Sequence, residues 1–145
     1  MEYIVQGANV IAFNKEGHKY AMTCAWTTHV DYEKIMMLIG SQSYTGKALI
    51  VGDIVGVSAL AKGQGKEAVH FGSEHSNTFD KFYGYKYEED GSAILIPHAK
   101  FKLVCKVEDI THIKDNPDDL LVLLTVLKHE DNKDLSFLIY QDMDN

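Results

Sequence analysis

Cysteine and proline are scarce in this chain, two of each in 145 residues, and tryptophan occurs once. Cys24 and Cys105 stand far apart with no CxxC pair and no Cys/His cluster, so neither a zinc site nor a disulfide framework is signalled, and both are expected to be reduced thiols. Long apolar runs are missing too. Nothing approaches the roughly 20 residues that a membrane helix requires, and Met1-Glu2-Tyr3-Ile4 has none of the basic, apolar and small-residue order of a signal peptide, so the cytoplasm is the expected location. Repeats, low-complexity tracts and Pro/Gly-rich linkers are absent, which predicts one domain over residues 1–145; at 46% hydrophobic and 24% charged it can bury one sizeable core. Clusters of positive charge are also lacking: the 14 basic residues are scattered and the net charge is −7, which argues against nucleic-acid binding. An anionic ligand must therefore be held by local amides, hydroxyls and a lysine against an unfavourable overall field.

What is present is mostly β character. Asn9 to Phe13 reads as a strand, and the turn chemistry of Asn14 to Lys19 hands it to a second strand from Tyr20 to Val30. Lys34 to Ile39 is an apolar run of strand length, expected to be buried on both faces. Two helical turns are predicted over Tyr44 to Val51, a strand over Asp53 to Leu60, a short helix over Gly63 to Gly72 and a helical turn around Thr78 to Phe82. Strands follow at Ala93 to Pro97, Phe101 to Ile110, Leu120 to Lys128 and Leu135 to Tyr140. The acidic patches Glu88-Glu89-Asp90 and Asp115 to Asp119 read as turns and Gln141 to Asn145 as a frayed tail. Many short strands with brief helices predict a mainly β fold, a barrel carrying a few short peripheral helices.

Two motifs carry chemistry. In the strand Ala21-Met22-Thr23-Cys24-Ala25-Trp26-Thr27-Thr28-His29-Val30, alternation puts Thr23, Ala25 and Thr27 on one face, where small side chains leave room for a flat ring close to the main chain. Met22, Cys24 and Trp26 then point into the core or a subunit contact. The second motif, Gly40-Ser41-Gln42-Ser43-Tyr44-Thr45-Gly46-Lys47, offers closely spaced hydroxyls, glycines that let amides approach, and a lysine, all suited to a phosphate; a hydroxyl-rich loop before a helix equally describes an N-cap. Ser41, Ser43 and Thr45 are the expected phosphate holders, at the N-terminus of a helix starting near Tyr44. His29 reads as an exposed strand-end histidine, the alternative being a proton relay beside the ring. No nucleophile and no acid/base dyad is apparent.

These motifs, with Phe71-Gly72-Ser73 and the Asp80-Lys81-Phe82 ending of a third segment, resemble the flavin reductase-like proteins, whose pattern runs Met-Thr-x-Ser-Trp-x-Thr-x-Val, Ser-Tyr-Thr, then Phe-Gly and Asp-Lys-Phe. The likeness is co-linear from about Asn9 to Phe82. It implies a Greek-key split β-barrel that binds FMN, a homodimer with the cofactor near the subunit interface, and NADH or NADPH as co-substrate, with electrons passed to free flavin or a small acceptor. A non-catalytic electron carrier serving a protein partner is the alternative. The cofactor-binding set it implies is Thr23, Cys24, Ala25, Trp26, Thr27, Gly40, Ser41, Ser43, Tyr44, Thr45, Lys47, Ser76 and Lys81. The chain departs from the pattern at Ala25, where serine is common, and at Asp31-Tyr32, where a double proline often stands.

Overall fold

The computed structural model describes residues 2–40, 43–73, 80–113 and 116–142. Among these residues, nine strands and two α-helices follow in the order β1 (Asn9–Lys15), β2 (His18–Cys24), β3 (Thr27–Asp31), β4 (Lys34–Gly40), α1 (Tyr44–Ala48), β5 (Ile54–Ala59), α2 (Gly65–Ser73), β6 (Glu88–Asp90), β7 (Ala93–Leu95), β8 (Phe101–Ile113) and β9 (Asn116–Asp131). All nine join one antiparallel sheet in the order β3-β4-β9-β8-β5-β1-β7-β6, with β2 on the other side of β1. The expected mainly β barrel is what forms.

The β1–β2 hairpin closes at Glu16-Gly17, both with positive φ (54° and 81°), the two-residue turn whose twist matches the strands it joins. β1 is buried on both faces. Ile11 and Phe13 point into the barrel core with Met37, Ile39, Val55, Val57, Cys105, Val107, Val122 and Leu124. Val10 and Ala12 point outward into a second core, where Phe71 of α2, Phe82, Ile94 and Ile96 cover that face. Burial of these aliphatic and aromatic side chains, each contributing about 1.5–3 kcal/mol, is what holds the barrel and its cover together.

The barrel is split rather than closed by a continuous ladder. β2 pairs with β1 as far as Cys24 and β3 pairs with β4 from Thr27, so the strand expected over Tyr20 to Val30 is broken at Ala25-Trp26, where the chain changes partner. Trp26, expected in the core or a subunit contact, is 56% exposed at this corner and so lies outside the core. β4 is not buried on both faces: Ile35, Met37 and Ile39 are buried while Lys34, Met36 and Leu38 are half-buried, Leu38 lining an open cleft. α1 stops at Ala48, and Lys15 holds the turn that follows by donating to the Ala48 carbonyl (2.6 Å) and to Asp53 (2.9 Å). Glu88–Asp90 is a strand rather than a turn, since its backbone pairs with β7. Of the second acidic patch, Asp115 lies outside the described residues and residues 116–119 extend β9, pairing with β4 and β8. Leu135 to Tyr140 forms no strand; it makes single bridges to Ala61 and Gly7 and ends in the 3₁₀ turn Tyr140–Asp142, whose Gln141 is tied to Ile4 and Gln6. Of the turn expected around Thr78 to Phe82, residues 78–79 lie outside the described set, and hydrogen-bonded turns run from Asp80 to Tyr85.

Candidate functional site

The Ala25-Trp26 corner opens onto a cleft of about 380 Å³. One wall is the end of β2 and the corner itself, Met22 to Trp26, with Leu38 of β4; the other is α2, through Ala68, Val69 and Gly72; Glu2 and Tyr140 edge it. The corner is fixed from both sides. Leu38 N–H donates to the Trp26 carbonyl (2.9 Å), Asn9 Nδ2 to the Cys24 carbonyl (3.1 Å), and the Cys24 thiol to the Leu38 carbonyl (3.3 Å). Burial pushes the Cys24 thiol above its ordinary pKa, partly offset by the Thr27 hydroxyl that donates to it at 3.6 Å. Ala25 and Trp26 stand outside both ladders and line the cleft; their carbonyls are taken, Ala25's by Thr27 N–H (2.9 Å) and Trp26's by Leu38 N–H.

The two walls touch at their base. Thr23 Oγ1 donates to the Ala68 carbonyl at 2.7 Å, and a Cβ on Gly72 would lie 3.3 Å from Thr23 Cβ. Glycine at 72 therefore lets α2 lie this close to β2. Alternation along the motif ends with β2: residues of both parities from Met22 to Trp26 line the cleft, while Thr27 turns to a second cavity. The expectation that Met22, Cys24 and Trp26 point into the core or a subunit contact holds in β2, where Cys24 is buried in the barrel core with Met22 packed against it while Thr23 turns to α2; Trp26, exposed at the corner, stays out of the core.

The hydroxyl loop lies beside β2. Ser43 caps α1, its Oγ accepting from Gly46 N–H at 2.8 Å and lying 3.8 Å from Met22 Sδ. Gly46 is sterically required, because a Cβ there would stand 2.7 Å from the Gly40 carbonyl. Tyr44 stacks on Tyr20, which stacks on Phe13, with His18 edge-on to both tyrosines. Desolvation, then a hydrogen bond with Tyr44, raises the Tyr20 pKa. Thr45, buried, donates to the Ala21 carbonyl (3.3 Å), whereas Lys47 is exposed. Lys81 is only 5% exposed and its Nζ donates to the carbonyls of Ala21 (2.6 Å) and Phe71 (2.8 Å). Ser41 and Ser76 lie outside the described residues.

Thr27, Thr28 and His29 line instead an apolar groove of about 650 Å³ with Val5, Tyr32, Phe101, Phe137 and Ile139. His29 is exposed there, its Nδ1 3.1 Å from the Asp31 carbonyl. Among the described residues no group of three or more His, Cys, Asp or Glu could hold a metal ion, and no helix is long and apolar enough to cross a membrane.

Leu38, Ala68, Val69 and Tyr140 belong to the cleft although sequence reasoning did not select them. Ala68 and Val69 look like an ordinary helix face, and nothing local signals that Tyr140 folds back to the first motif. Gly72 was visible only as part of the Phe71-Gly72 pair.

The fold is shared with solved flavoproteins. The chain is similar to the NADH:FAD oxidoreductase of Streptomyces globisporus C-1027, with 22% identity over 92% of this chain and 80% of that one and a TM-score of 0.82; a structure of that enzyme is in complex with NAD and FAD fragments. It is similar to flavoredoxin from Methanosarcina acetivorans, at 14% identity over 96% and 91% of the two chains with a TM-score of 0.75. An FMN-binding protein from Thermus thermophilus aligns at 13% identity over 91% and 74%, with a TM-score of 0.80. No curated protein sequence matches. The family described as "Flavin reductase like domain" matches residues 1–144, and the chain belongs to that family.

Proposed function

We propose that this chain is a single FMN-binding domain over residues 1–145 and acts as an NAD(P)H-dependent oxidoreductase, passing electrons to free flavin or a small acceptor. The observation that carries the reading is the 380 Å³ cleft, of ligand-site size, walled by Thr23, Ala25, Ala68 and Gly72, whose small side chains admit a flat ring to the backbone. A flavin supplies hydride acceptance at N5 and one- or two-electron release. The chain's part is to hold the ring between β2 and α2 and to offer the corner amides of Ala25 and Trp26 to the edge where the reduced ring gathers negative charge. Cys24 and Thr27 brace that corner from behind. Gly40, Ser43, Tyr44 and Lys47 are assigned to the phosphate end; Ser41 and Ser76, expected to share the site, lie outside the described residues. The test is direct: the purified protein is titrated with FMN, FAD and riboflavin, and NADH and NADPH oxidation is followed with and without added FMN. A yellow protein that oxidises either nicotinamide supports the enzyme; failure to bind any flavin rejects the reading.

The apolar rim of the cleft, Trp26 at 56% and Val69 at 48% exposure, favours one second reading, an electron carrier that docks a protein partner. A yellow protein inert to both nicotinamides would select it. We also propose that the groove holds a second copy of this chain in a homodimer, because Val5, Tyr32, Phe137 and Ile139 leave an apolar surface there. The cytoplasm, where reduced nicotinamides are supplied, suits two unpaired buried cysteines.

A further inference from the structure

A lysine buried to 95% needs an explanation, since taking an ammonium out of water is costly unless its hydrogen bonds are replaced. Among the groups that replace them at Lys81 are two carbonyls, one from each wall of the cleft. Ala21 lies in β2, two residues before Thr23; Phe71 lies in the last turn of α2, next to Gly72. A cation at the carbonyl end of a helix is also favoured by the helix dipole. The Ala21 carbonyl accepts a second bond, from Thr45 Oγ1 of α1, so three segments meet at one oxygen atom. Lys81 is itself held in place: its carbonyl lies 2.6 Å from His70 Nε2, His70 stacks on Tyr85 at 4.1 Å, and the neighbouring Phe82 packs on Phe71 at 5.0 Å.

We propose that Lys81 is a positioning residue whose ammonium clamps β2 to the last turn of α2 and so sets the width of the flavin cleft, rather than a ligand of the flavin phosphate. This rests on the flavin reading above. The clamp acts with the Thr23–Ala68 hydrogen bond one turn earlier in α2, and the pair fixes both the spacing and the tilt of the helix over the strand. A positioning group supports the whole ring site and so affects every ligand that contains the ring. A phosphate ligand affects only ligands that carry the phosphate.

The experiment titrates FMN and riboflavin into the wild-type chain, Lys81→Met and Thr45→Val, and follows amide exchange of α2 in each without flavin. Lys81→Met is expected to weaken FMN and riboflavin by the same factor, about tenfold, leaving the preference for FMN unchanged, and to speed exchange in the last turn of α2. Thr45→Val, which removes the other donor to Ala21 and no charge, is expected to shift both ligands in the same direction by less; it keeps the test alive if Lys81→Met does not fold. A loss confined to FMN in Lys81→Met, or no change for either ligand, overturns the proposal. If the wild-type protein binds neither flavin, the functional reading fails by itself, and the exchange data decide the clamp: faster exchange in the last turn of α2 supports it and an unchanged rate rejects it.

Discussion

A Cβ placed on Gly56 would lie 2.0 Å from the carbonyl oxygen of Ile94, so β5 and β7 cross in backbone contact. Gly56 has no positive φ, and the requirement is one of space alone. The crossing is what lets β7 take over from β5 along β1, Gly56 being opposite Ala12 and Ala93 opposite Phe13. Gly56→Ala must therefore push apart two strands that are both paired with β1 in a packed interior. The expected cost is about 3 kcal/mol, the upper end for overpacking, read as a lower denaturation midpoint with an unchanged slope. A wild-type midpoint would mean that the strands do not cross there.

Cys105 is fully enclosed in the barrel, and burial pushes its thiol up to about 12. In the unfolded chain the same thiol ionises near 9. Above that value the unfolded state loses a proton that the folded state keeps, so stability falls as pH rises from about 9 to about 12; below 9 the contribution is fully present. Tyr20, also raised, adds to the decline in the same direction. Cys105→Val, close in volume and without the titrating group, should flatten the alkaline limb of a stability-against-pH curve. An equally steep limb in the variant would assign it to other groups.

The groove gives a prediction about assembly. Tyr32, 93% exposed at the β3–β4 turn, costs the isolated chain little when replaced, yet it lines the groove on which a second copy is proposed to sit. Tyr32→Asp places an unpaired carboxylate into a surface that would bury about 800 Å² on each partner. Light scattering should report a dimer for the wild-type chain and a monomer for the variant, with an unchanged far-ultraviolet spectrum. A persistent dimer would move the interface elsewhere.

Local patterns made most of the barrel legible. The apolar stretch of β1, the turn chemistry of Asn14 to Lys19 and the apolar run of β4 are short-range signals, and each matched an element to within a few residues. Long-range pairing was not legible. Glu88–Asp90 is acidic and short, and only its partner Ala93–Leu95 makes it a strand. Alternation likewise carried Thr23 to Thr27 as one strand, because nothing at Ala25-Trp26 marks the change of partner from β1 to β4. Of the cleft, the sequence singled out the segment at the end of β2 that forms one wall. It could not show that the Lys81 and Thr45 side chains turn inward to one carbonyl, a consequence of where α1 and α2 pack.

The corner makes Ala25 the most discriminating position. Ala25 lines the cleft between β2 and α2, half-buried, outside both ladders and in neither core cluster, so added atoms are expected to enter open volume rather than the barrel core. Ala25→Ser adds one hydroxyl, small enough for the cleft, and FMN affinity should stay within about threefold, a difference of under 1 kcal/mol. Ala25→Leu adds three carbons where the ring is proposed to lie. It should abolish flavin binding while changing stability by less than about 1 kcal/mol, because no core neighbour is displaced. Flavin titrations run beside thermal melts separate the outcomes. A stable, colourless Ala25→Leu protein supports the cleft as the ring site. A destabilised Ala25→Leu protein that still binds FMN would show that the leucine enters the core and that the ring lies on another surface, the groove lined by Thr27 and His29 being the next to test.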